Sequence, residues 1–234
     1  MARIIVLGGG MCGLSAGMLL TRDGHEVTVF ERDPTPVPES VDEAWETWAR
    51  DGVTQFRLAH FLAPAGREVL EQTLPDVFAA LVSAGAARVD LLGLMPPTLA
   101  ESGGRAGDER FVTYTARRPT IEQVLGQAAE GEPGLEVRRG TAVAELTMHV
   151  GNGTPHVTGV RLRSGETLPA DLVVDAMGRR SPLPRWLSAA NIGPLHEESE
   201  DPGSSTTVVT FAHQTERHRS RSAPCSRRSG PSRS

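Results

Sequence analysis

Cysteine is nearly absent from this chain: Cys12 and Cys225 are the only two among 234 residues, and they lie at opposite ends. That spacing gives neither a disulfide framework nor a metal-ligand set, so a reducing cytoplasm and no metal site are expected. Basic charge is not in excess either. A formal net charge of -5 supplies no footprint for phosphate neutralisation, and nucleic acid is not an expected partner. Apart from the glycine-broken stretch Ile4 to Leu20, no apolar run approaches the ~20 residues that a bilayer span requires, which argues against a membrane. His, Cys and Asp do not cluster with ligand spacing, so a metal-dependent hydrolase is not supported. Aromatics stand at 4%. What remains is ordinary: 38% hydrophobic and 23% charged residues, the balance of a soluble globular chain, long enough for one α/β domain and a partial second region.

The order of elements is legible from the N-terminus. Ala2 to Leu7 (ARIIVL) is a short β-branched run suited to a strand buried on both faces. Met11, Leu14, Met18 and Leu19 recur at helical spacing up to Arg22, and Gly24 supplies a stop. Glu26 to Phe30 (EVTVF) returns to strand composition. The apolar stretch Ile4 to Leu20 reads as part of this unit and not as a leader, because glycines break it and acidic sequence follows. After the proline-rich segment Asp33 to Pro38 and an acidic segment Glu39 to Glu46, residues 55–90 read as an inserted helical segment, with Pro75 opening a second helix. Glu101 to Glu109 reads as a loop, Phe111 to Thr115 as a strand and Pro119 to Glu130 as a helix. From Leu135 onward the chain alternates like a meander of antiparallel strands, with turns at Gly151-Asn152-Gly153 and Ser164-Gly165. Asp171 to Ala176 is again a buried parallel-type strand, and Pro182 to Ala190 a short helix. From His213 to Ser234 the sequence is rich in Ser, Arg and Pro and has no apolar residue larger than cysteine or proline, so residues 213–234 are expected to be a disordered basic tail.

One turn carries chemistry. Gly8-x-Gly10-x-x-Gly13 follows the first strand and opens the first helix, the setting in which this short motif is credible. The first glycine allows a tight turn, the second lets a pyrophosphate approach the main chain, and the third lets helix and strand pack closely. The helix N-terminus, at Met11 and Cys12, then faces the phosphates with unpaired N–H groups. Glu31 ends the second strand close to the separation of about 20 residues expected for the acid that accepts from a ribose diol. A carboxylate there repels a 2′-phosphate, which favours FAD or NAD over NADP.

Gly8 to Gly17 (GGGMCGLSAG) with Glu31-Arg32 resembles the FAD-binding unit of the para-hydroxybenzoate hydroxylase class of flavoprotein monooxygenases. ARRPTIEQVL, GTAVAEL and ADLVVDAMGRRSPLPRW resemble further segments of that class in the same order. The resemblance implies an FAD/NAD(P)-binding Rossmann-type parallel sheet with a three-stranded antiparallel meander, over residues 1–190. It implies FAD contacts from Gly8, Gly10, Met11, Cys12, Gly13, Glu31, Arg32, Arg118, Val143, Asp175 and Gly178. It sets the flavin ring over the segment around Gln55 and His60. It also implies NAD(P)H as electron donor, O2 as oxidant and a small apolar or aromatic molecule as substrate. No catalytic acid or base stands out, and no feature sets an oligomeric state.

The chain departs from that class by lacking its third fingerprint, a G-D-A before a helix. Residues 191–212 are expected to begin an incomplete substrate domain, with a strand at 206–211, as in a truncated or frameshifted member. Competing readings are an FAD-dependent reductase or dehydrogenase on the same scaffold and a fragment without turnover. Trp45 and Trp48 do not form the W-x-W-x-I-P pattern of flavin halogenases.

Overall fold

A computed structural model describes residues 1–53, 55–96, 105–151, 154–190, 192 and 198. Apart from residues 192 and 198, the expected substrate-domain start lies outside these residues, as do the strand at 206–211, the tail at 213–234, residues 101–104 of the expected loop and Asn152-Gly153 of the expected turn. The first strand, β1 (Arg3–Leu7), leads into helix α1 (Met11–Arg22) and strand β2 (Glu26–Phe30). β1 pairs in parallel with β2 on one side and with β10 (Leu172–Asp175) on the other, and β2 pairs in parallel with β6 (Leu135–Arg138). The sheet order is β10-β1-β2-β6. Residues alternate across a strand, so Ile4 and Val6 bury one face of β1 while Ile5 and Leu7 bury the other.

One face is covered by α1, by α4 (Pro75–Ser83) and by α5 (Arg118–Gly131), whose Leu14, Met18, Val77, Leu81, Ile121 and Leu125 form the main core. The other face receives the meander β7 (Val143–Gly151), β8 (Thr154–Leu162) and β9 (Thr167–Pro169), through Val160 and Leu162 on Ile5, Leu7 and Phe30. LEVRR at 135–139 was expected within that meander. Instead β6 joins the parallel sheet in register with Val27 to Phe30, because α5 returns the chain by a crossover to the edge of β2.

The 55–90 segment is not wholly helical. It holds β3 (Ala59–Phe61), α3 (Pro64–Thr73), α4 and β4 (Ala87–Asp90). β3 and β4 flank β5 (Val112–Arg117) as a second, antiparallel sheet. The acidic segment after residue 39 contains helix α2 (Val41–Glu46), capped by Ser40, which accepts from the Glu43 N–H. The last described helix, α6 (Leu183–Ala189), follows the loop after β10.

Candidate functional site

The glycine turn sits where β1 ends. Gly8 adopts φ 105°, and a Cβ there would lie 2.8 Å from the carbonyl oxygen of Ala176 on the loop after β10. A Cβ on Gly13 would run into the Gly8 carbonyl oxygen. Both positions are therefore glycine because the protein's own backbone crowds them. Gly10 differs: a Cβ there meets nothing within 4 Å, although its backbone, at φ -86° and ψ -177°, suits any residue. Packing gives no reason for glycine at this position. The space over its main chain is open. Gly10 is also the N-cap of α1, which has no side-chain cap and no acid in its first turn, so N–H groups at its start are left without a capping side chain. Met11 packs on the core, and Cys12 is exposed and free.

Glu31 is buried and heavily engaged. Its Oε2 accepts from the Gly9 N–H at 2.9 Å and from Arg50 Nη2 at 2.9 Å, and its Oε1 accepts from the Asp33 N–H at 2.9 Å. A carboxylate offers about four acceptor positions, so roughly one remains open. Arg50 is the unexpected member. Its side chain is 4% exposed and reaches Glu31, Asp33 Oδ2 at 3.1 Å, Glu122 Oε2 at 3.0 Å and the Gly9 carbonyl at 3.4 Å. The Asp33 contact is an ion pair out of hydrogen-bonding alignment. The guanidinium also lies 5.3 Å from the Trp48 ring centroid, and Trp48 is held by Phe56 edge-on.

From Glu122 the chain of contacts continues. Its Oε1 accepts from Arg118 Nε at 2.8 Å, and Arg118 Nη1 lies 3.3 Å from His60 Nε2. Glu31, Arg50, Glu122, Arg118 and His60 thus form one connected set. Burial lowers the pKa of His60 below its ordinary value, the Arg118 charge adds to this, and Glu122 opposes it. Asp175 lies beside Leu7 in the β1–β10 register, and its carboxylate accepts from the Met177 N–H and the Ser181 hydroxyl. Gly178 follows at φ 72°. Val143 begins β7 just after Thr141, whose N–H donates to the Glu31 carbonyl at 2.9 Å, so the meander is tied to the end of β2. Arg32 is exposed beside Gly52, and Gln55 is exposed.

The structure therefore gathers Gly8, Gly10, Gly13, Glu31, Asp175 and, through the buried charges, Arg118 around one end of the parallel sheet. Arg50 and Glu122 gave no signal in sequence, since a single arginine in a loop and a glutamate in a helix are indistinguishable from solvated charges. The sequence profile of the FAD binding domain matches residues 1–199. The chain belongs to the FAD binding domain family. It is 28% identical to the protein Rv3254 of Mycobacterium tuberculosis, over 88% of this chain and 44% of that protein. It is 27% identical to a kynurenine 3-monooxygenase of Salinispora arenicola, over 75% of this chain and 36% of that enzyme. The chain spans less than half the length of these curated relatives. Its fold is shared with PqsL of Pseudomonas aeruginosa, described as a probable FAD-dependent monooxygenase, at a TM-score of 0.56 and 20% identity over 80% of this chain and 45% of that one. Among the described residues no helix is long and apolar enough to cross a membrane.

Proposed function

We propose that this FAD-binding-family chain holds FAD along the glycine turn and Glu31, and serves a monooxygenase. In that reaction NAD(P)H gives two electrons, one oxygen atom of O2 enters a small apolar or aromatic substrate, and the other leaves as water. The observation that carries the reading is Gly10: it is the N-cap of an uncapped helix and has open space over its main chain. The residues fit the cofactor. A pyrophosphate suits the free N–H groups at the start of α1, and the remaining acceptor position of Glu31 suits a ribose hydroxyl. When bound, FAD supplies the two-electron redox chemistry and the reaction with O2.

The chain's own residues bind and orient. Asp175 pins the loop that abuts Gly8, and Arg118, fixed by Glu122, keeps its charge at a set position beside His60. Burial and the Arg118 guanidinium favour a neutral His60 ring at neutral pH, so it exchanges hydrogen bonds without adding charge. The relatives named as kynurenine 3-monooxygenase and as a probable FAD-dependent monooxygenase support the oxygenase reading. The test is a flavin-loaded sample mixed with NADH or NADPH without O2, followed by O2. Bleaching of the flavin on reduction and its return with O2 are expected. With a panel of aromatic acids and amines, label from isotopic O2 appears in one product. Bleaching that fails with both nicotinamides refutes the NAD(P)H-dependent reading.

A further inference from the structure

We propose that Arg50 is a positioning residue for the adenosine end of the FAD site, acting through Glu31 and the glycine turn and anchored by Glu122. This rests on the FAD reading above. One guanidinium is spanned by three buried carboxylates, those of Glu31, Asp33 and Glu122, and also reaches the Gly9 carbonyl. These partners come from four separate places: the glycine turn, the end of β2, the loop after it, and α5. Arg50 itself sits in the loop after α2, so a single side chain sets the position of the ribose acid relative to the phosphate turn.

Lysine cannot take its place, because only the planar fork aligns several carboxylates at once. The arrangement is also costly for folding alone. Three carboxylates around one cation leave Asp33 Oδ2 and Arg50 Nε buried without a hydrogen bond, and buried ion pairs are weak contributors to stability. The set is built for orientation: Glu31 Oε2 is held between the Gly9 N–H and Arg50 Nη2, which fixes the direction of the acceptor position left for ribose. Glu122 in turn holds Arg50 on one oxygen and Arg118 on the other, so the anchor belongs to α5 and not to the loop that carries Arg50.

The test is calorimetric titration of wild type, R50K, E122Q, E31Q, R50K/E31Q and E122Q/E31Q with FAD, ADP and FMN. ADP carries the adenosine ribose and pyrophosphate, and FMN lacks the adenosine. R50K is expected to weaken FAD and ADP by about tenfold or more, and FMN by less than about twofold. In the E31Q background R50K adds less than about twofold, because it acts through the residue already removed. E122Q keeps the guanidinium and is the variant to use if R50K fails to fold. It weakens ADP by about threefold to tenfold, and only when Glu31 is present. Equal losses for ADP and FMN overturn the proposal, as do losses from R50K and E31Q that multiply. Wild-type binding of FAD with unchanged affinity in R50K and E122Q overturns the proposal alone. A wild type that takes neither FAD nor ADP overturns the FAD reading and the proposal together.

Discussion

Gly10→Ala and Gly13→Ala lie in the same turn, and the structure assigns them opposite consequences. At Gly10 the backbone angles are open to alanine and the new methyl meets no protein atom within 4 Å. Alanine at an N-cap costs on the order of 0.5–1 kcal/mol, and the reduced freedom of the unfolded chain returns about 0.4–1 kcal/mol. The net change in stability is expected to stay under about 1 kcal/mol. FAD affinity is expected to fall much further, because the methyl occupies the approach of the pyrophosphate to the helix N-terminus. A hydrogen bond to a charged group contributes about 1.5–3 kcal/mol, so displacing one weakens Kd roughly 10- to 100-fold. At Gly13 the methyl meets the Gly8 carbonyl oxygen and lies 3.3 Å from the Ala176 Cβ. The nearest of these is main chain and cannot rotate away, so a loss of about 3 kcal/mol or more is expected, at the upper end for overpacking. Urea denaturation of the apoprotein measures the first quantity and quenching of FAD fluorescence the second. A G10A protein that binds FAD like wild type, or that is destabilised as much as G13A, refutes the argument that the space over Gly10 is ligand space.

Other substitutions test the packing and the charges. A Cβ on Gly126 in α5 would lie 2.7 Å from Val37 Cγ2, so G126A is expected to cost about 1–3 kcal/mol by overpacking; adding V37A should recover at least about 1 kcal/mol in a double-mutant cycle of urea midpoints. His60 has a folded pKa below its ordinary 6.5, so the unfolded chain binds the proton more readily. Stability is therefore expected to drop as pH falls below 6.5, and H60Q should flatten that slope. The Arg22 hydrogen bonds hold Asp76 down to about 2, from an ordinary 3.8, so their stabilisation is present above 3.8 and lost as pH falls through about 2. Because Asp76 is 58% exposed, D76N should change stability by less than about 1 kcal/mol at neutral pH, and by progressively less as pH falls from 3.8 through about 2.

What sequence conveyed best was local. The β1–α1–β2 unit announces itself because β-branched runs, helical spacing and three glycines agree within one short stretch. Glu31 is found by its distance from that turn. The meander turn at Ser164-Gly165 is equally local. β3 and β4 were not legible, since three- and four-residue strands carry no period and exist only by pairing with β5. β6 looked like a meander strand because sheet membership depends on the crossover through α5 and not on the strand itself. α2 was hidden by its charge, although Ser40 and Glu43 form a legible cap. Arg50 is the instructive miss: Glu31 and Asp33 meet it from the end of β2 and the loop after it, and Glu122 from α5 far along the chain, and only the fold brings them together. Their burial also changed the reading of Glu31, from a carboxylate free to take both ribose hydroxyls to one with about a single acceptor position left.

The glycine turn, Glu31 and the family of this chain all point to bound FAD. The direct measurement is the absorbance spectrum of the purified protein, with released cofactor identified by chromatography and added FAD titrated into any apoprotein. Stoichiometric FAD, or uptake of added FAD that G10A weakens, is the result predicted. A colourless protein that takes up no added FAD contradicts the account.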